Sequence, residues 1–158
     1  MLFIPSVALS PTLPRQQHAG RIIPHKDIEC LAGTIWAEAR GESIKGMLAV
    51  GHVVLNRARA WKKSVCEVVK QPYQFSFWKE GYRWRYADEH KEMALTLLQD
   101  EAQGKRDDFL RGVLNYTRVE VQQVWMKAYM VDVVIGSHKF LRKRGENELR
   151  KEIQTNAE

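Results

Sequence analysis

The sequence predicts an α+β domain that is predominantly α-helical, with a small β component towards its C-terminal end. Between residues 27 and 103 the apolar residues recur at helical spacing in long segments. β-Branched clusters that read as strands are confined to 113–140. A chain of 158 residues with 44% hydrophobic content can build one real core, so a single compact domain is expected.

Residues 1–26 contain prolines at 5, 11, 14 and 24 and little periodicity, which predicts an extended N-terminal arm. Its opening, MLFIPSVALS, is apolar, but no Lys or Arg precedes the run and Pro5 interrupts it. Neither a signal peptide nor a membrane span is therefore expected.

Asp27 is the expected cap of a first helix from Ile28, whose apolar positions 28, 31, 32, 35 and 39 keep the helical period until Gly41. Ser43 can cap a second helix from Ile44 to Ala60, with a stripe of Met47, Leu48, Gly51, Val54, Leu55 and Ala58 that would pack on the first. Ser64 and Glu67 have capping-box spacing, so a short helix should run from Ser64 to Gln71 and stop at Pro72. The segment Tyr73 to Tyr86 has no clean period and reads as a long aromatic loop, with a short hairpin conceivable around Gly81. A further helix is expected from Ala87 to Gln103, stopped at Gly104. Beyond it, Val113 to Tyr116 reads as a strand, Val121 to Tyr129 as a helix and Val131 to Phe140 as a second strand. Residues 142–158 read as a charged, solvated tail.

A net charge of +6 and a pI near 9.4 draw the chain to anionic partners. Nucleic acid, anionic membrane surfaces and the bacterial wall all qualify, and charge does not choose among them. Cys30 and Cys66 are too few for a disulfide framework, and each lies on an apolar helix face, so buried thiols are expected. His52, His90 and His138 are scattered without metal-ligand spacing, and the usual serine-hydrolase, P-loop, dinucleotide and zincin motifs are absent. No metal or cofactor is expected.

Glu38 follows Ile35 and Leu31 at helical spacing, which puts its carboxyl at the edge of an apolar face. A partly desolvated carboxyl keeps its proton to higher pH, as a general acid must. The plainer reading is a helix-end glutamate paired with Arg40, Arg57 or Lys45. Glu42 could pair with it across a cleft if the helix continued, but Gly41 makes it more natural for Glu42 to turn away and bond the loop or the start of the second helix. The aromatic loop offers flat faces for sugar rings, with Gln74 and Ser76 for their polar rims, although Phe75, Trp78 and Trp84 could equally close the core beneath it.

IWAEARGESIKGMLAVGHVVLNRA, from Ile35 to Ala58, closely resembles the opening motif of the cell wall hydrolases of the SleB and CwlJ spore-cortex-lytic type. KQPYQFSFW, from Lys70 to Trp78, resembles their second motif and IGSHKF, from Ile135 to Phe140, their closing one, with Trp125 at the expected distance before it. The resemblance implies a fold related to lysozyme-like lytic transglycosylases, with the catalytic domain spanning 27–141. It implies cleavage between N-acetylmuramic acid and N-acetylglucosamine with Glu38 catalytic, and a groove of Gln74, Phe75, Ser76, Trp78, Tyr116 and His138. One glutamate can act first as acid and then as base, with either the muramic 6-hydroxyl or water completing the reaction.

The sequence departs from the family pattern at Leu114 and Asn115, where many relatives have Thr-His, at Gln123 for a proline, and at Leu141 for a tyrosine. These positions bear on substrate contacts and on any restriction to spore cortex. The expected partner is the peptidoglycan glycan strand and not nucleic acid, with no stable membrane insertion and a monomeric chain. A short, basic, leaderless chain without wall-binding repeats fits a bacteriophage endolysin, made in the host cytoplasm and released to the wall through a holin pore. The other readings are a non-catalytic module binding glycan or single-stranded nucleic acid, and an amidase acting on the peptide stem.

Overall fold

The computed structural model describes residues 22–105, 108–110 and 112–145. Most of the expected arm and tail, 1–21 and 146–158, lie outside the described residues. Four helices and a three-stranded sheet make up a mostly helical domain of the kind expected.

Helix α1 spans His25–Ala39, and it packs against α2 (Ile44–Trp61), α3 (Val65–Lys70) and α4 (Asp88–Ala102). Its apolar stripe fills the main core: Leu31, Ala32 and Ile35 are fully buried with Val54, Val68, Val69 and Ala94. The helix begins before its expected cap, with Pro24 at the N-cap, so the end of the expected arm is helical. Asp27 falls in the first turn, and its carboxylate instead accepts from the Cys66 backbone N–H at 3.3 Å, tying α1 to α3. The other two expected caps form. Ser43 Oγ accepts from Gly46 N–H, and Ser64 and Glu67 make the reciprocal capping box that starts α3.

The cysteines correct the reading of two free thiols, because Cys30 on α1 and Cys66 on α3 form a disulfide, their Cα atoms 5.3 Å apart. Both are buried, as their apolar faces predict. The packing of α3 across α1 is what makes them neighbours, and that packing is not a local property of either segment.

The β region is a small antiparallel sheet in the order β1-β3-β2, with β1 at Asn115–Arg118, β2 at Tyr129–Ile135 and β3 at His138–Lys143. The single strand expected over 131–140 is therefore a hairpin that turns at Gly136 and Ser137. Gly136 has φ +57, a left-handed conformation that suits glycine and permits so tight a reversal. The helix expected over 121–129 is only a 3₁₀ turn, Val124–Ala128, and β3 runs past the expected domain end at 141. The sheet packs on α2 through Ala49, Val53, Val113, Ile135 and Phe140. No strand forms in the aromatic loop, where Gly81 (φ +78) makes a turn and not a hairpin.

Candidate functional site

Helix α2 carries two polar side chains into the interior, and both fasten the chain leading into the sheet. Asn56 Nδ2 donates to the carbonyls of Leu110 and Val113 at 2.9 and 3.1 Å. Arg57 Nε donates to the carbonyl of Leu114 at 2.7 Å. The second bond uses only the backbone of Leu114, so the departure from Thr at that position leaves it intact. Together they set where β1 begins, and so where Tyr116 stands.

Tyr116 reaches across to α1, and its hydroxyl donates to Glu38 Oε2 at 3.0 Å. Glu38 is half-buried, and burial lifts its pKa above the ordinary value of 4.5, while the Tyr116 hydrogen bond and the Arg57 charge hold the rise in check. Burial beside the Glu38 charge drives the Tyr116 hydroxyl well above 10, so it stays a donor. Arg57 is 6% exposed, with its guanidinium carbon 5.2 Å over the Phe75 ring and 5.6 Å over Trp61. Among the described residues its buried Nη1 has no hydrogen-bond partner. Burial lowers the Arg57 pKa, and Tyr116 and Glu38 counter that. The arrangement is a carboxyl that holds its proton more tightly than a free one, fixed by a phenol and backed by a buried cation.

The ring of His138 packs edge-on against Tyr116 at 5.2 Å, and its Nδ1 lies 3.7 Å from Glu42 Oε1. Burial lowers the His138 pKa, so the ring favours its neutral form. Glu42 turns away from Glu38 to the hairpin, where its carboxylate accepts from the Ser137 hydroxyl and from the Ser137 N–H at 3.3 Å. Those bonds pull its pKa below the ordinary range. A carboxylate so occupied is poorly placed to serve as a second catalytic acid.

Of the residues expected around the groove, the fold brings Glu38, Tyr116 and His138 together. Phe75 is only 5% exposed and sits in the core under Arg57, so it cannot present a free face to a sugar. Trp78 is half-buried and stacks on Trp84 at 5.4 Å, while Ser76 is exposed and Gln74 half-buried. No hydrogen bond joins Gln74, Ser76 or Trp78 to Glu38 among the described residues. Arg57 was expected beside Glu38 only as an ion-pair partner in the plainer reading, and not as a site residue. Its signal was an arginine continuing the row Val50, Val53 and Val54 on a helix face that is otherwise apolar. Among the described residues no group of three His, Cys, Asp or Glu is placed to hold a metal ion, and no helix is long and apolar enough to cross a membrane.

Comparison with known proteins agrees with this architecture. The chain is similar to the catalytic domain of the germination-specific lytic transglycosylase SleB from Bacillus anthracis, at 25% identity and a TM-score of 0.62, covering 76% of this chain and 97% of that one. It is equally similar to the catalytic domain of the Bacillus cereus SleB protein, at 25% identity and a TM-score of 0.60, covering 78% and 99%. The cell wall hydrolase CwlJ of Bacillus subtilis (strain 168) is 32% identical over 82 residues, 48% of this chain, and the chain spans 58% of that relative's length. The Cell Wall Hydrolase family profile matches residues 41–141, beginning just after the turn of α1 that carries Glu38. The chain belongs to the Cell Wall Hydrolase family.

Proposed function

We propose that the chain cleaves the glycosidic bond between N-acetylmuramic acid and N-acetylglucosamine in peptidoglycan, with Glu38 as both acid and base. The observation that carries this is the half-buried Glu38 carboxyl, raised in pKa and bonded by Tyr116. In the first step Glu38 gives its proton to the bridging oxygen, the bond from that oxygen to the anomeric carbon breaks, and positive charge develops on the sugar. In the second, the Glu38 carboxylate takes a proton from the hydroxyl that attacks the anomeric carbon. When that hydroxyl is the muramic 6-OH, the product is a 1,6-anhydro sugar and no second carboxylate is required. The engagement of Glu42 with Ser137 favours this course. Gln74, Ser76, Trp78, Tyr116 and His138 are the side chains we assign to the glycan groove.

Turbidity clearing of purified bacterial walls tests the role of Glu38. Glu38→Gln is expected to slow clearing by about 10² to 10⁴, the usual worth of a general acid. Equal clearing by both proteins would remove Glu38 from the reaction. Mass spectrometry of the fragments then separates anhydro ends from reducing ends, and free stem peptides would mean amide cleavage instead.

The setting we propose is lysis of a host cell by a bacteriophage, the +6 charge favouring capture on the anionic wall. Cytoplasmic expression should leave a culture intact until a pore-forming protein is induced. Survival after pore formation would argue against a lytic role.

A further inference from the structure

On a helix at 100° per residue, Trp36 and Arg40 project roughly 160° away from Glu38 around α1. A cavity of about 610 Å³ opens on that flank, between the last turn of α1 and the aromatic loop. Trp36, Phe77 and Tyr82 supply apolar faces, and the Phe77 and Tyr82 rings pack 5.2 Å apart. Arg40, Lys79, Arg83 and Arg85 also line it, and no acidic residue does. Glu80 belongs to the same loop but stands outside the lining. Among the described residues, none of the four cations has a carboxylate within ion-pair distance. Among the described residues only the Arg40 side chain of the four is engaged, its guanidinium lying 4.2 Å over the Trp36 ring.

Four like charges around one concavity repel one another, and an anion entering between them relieves that repulsion. We propose that this cavity is a second, non-catalytic wall-binding site that takes the carboxylates of peptidoglycan stem peptides. Membership of the wall hydrolase family puts a stem-bearing polymer within reach of the chain. Within that polymer the carboxylates belong to the stems. Three of the four cations are arginines, whose planar fork matches a carboxylate bidentately. The aromatic faces suit the methyl and methylene groups that stem residues carry next to those carboxylates. A polyol phosphate chain would meet the charge but leave the rings without an apolar partner. The site stands whether or not Glu38 is the acid, because it concerns binding and lies on the other flank of the helix.

The test is binding to stem-bearing glycan strands anchored on a sensor surface, one set with its stem carboxylates free and the other with them converted to neutral amides. Wild type should bind the strands with free stem carboxylates about tenfold more tightly, and R40Q/R83Q/R85Q should lose that advantage while binding the amidated strands within about twofold of wild type. The three arginines are exposed, so the variant should melt as wild type does. R40K/R83K/R85K, which keeps the charge, should retain part of the preference. If the glutamine variant melts early, salt replaces it as the probe: raising ionic strength should erase the wild-type preference, and persistence of the preference overturns the site. Equal wild-type affinity for both strands, or an equal loss on both in the variant, also overturns it. So does displacement by soluble polyglycerol phosphate but not by free stem peptide, which would give the cavity to phosphate.

Discussion

Glu38 couples function to stability through one proton. Burial raises its pKa, so the folded chain holds the proton more tightly than the unfolded chain does. The stability this contributes is complete below the ordinary value of 4.5 and is lost as pH rises through the folded value. Glu42 has the opposite sign, since its lowered pKa contributes stability above the ordinary 4.5 that is lost as pH falls. Glu38→Gln should therefore melt higher than wild type at pH 7, with the gap closing as pH falls towards 4.5, and thermal melts across that range read it directly. A gap independent of pH would mean that the carboxyl is not strained by burial. Arg57 is a counterweight second to the Tyr116 hydrogen bond, and without its charge the Glu38 pKa would rise further. Arg57→Met should move the pH optimum of wall clearing upward and lower its maximum about tenfold, with Arg57→Lys recovering part of both. An unchanged optimum in the methionine variant would leave Arg57 with only its structural bond to Leu114.

The β2–β3 hairpin is tied to the turn between α1 and α2 through Glu42 and Ser137. A Cβ on Gly136 would overlap Glu42 Oε2, and its φ of +57 is one that side chains resist. Gly136→Ala should cost about 1 to 3 kcal/mol in denaturant unfolding, from backbone strain and a displaced carboxylate. It should also disturb His138, the next residue but one, and so Tyr116 against it. A loss under a few tenths of a kcal/mol would show that the turn is not held by Glu42. Legibility in the sequence followed how local each element is. Helices α1 to α4 were readable because period, caps and stops lie within each segment, as with Ser64 and Glu67. The hairpin was not, since β-branched residues run almost continuously from 131 to 135, and the reversal depends on one glycine and a carboxylate far away in sequence.

Across the whole molecule, the Cys30–Cys66 bridge closes a loop with a sequence separation of 36 and joins the helix that bears Glu38 to α3. Such a loop is worth about 3 to 4 kcal/mol by chain entropy, so reduction with dithiothreitol should lower the melting temperature markedly. An unchanged melt would mean the bridge does not form in solution. A disulfide persists in oxidising surroundings and not in a reducing cytosol, which fits the proposed action on the wall.

By itself the sequence determined the helical class of the domain, its family and the acid to suspect, because each of these is written in short-range spacing or in ordered motifs. Only the tertiary structure decided that the cysteines pair, that Phe75 is core and that Glu42 is occupied by Ser137. It also decided that Arg57 stands behind Glu38. Each of those depends on contacts between residues distant along the chain, and such contacts exist only once the helices and the sheet have packed.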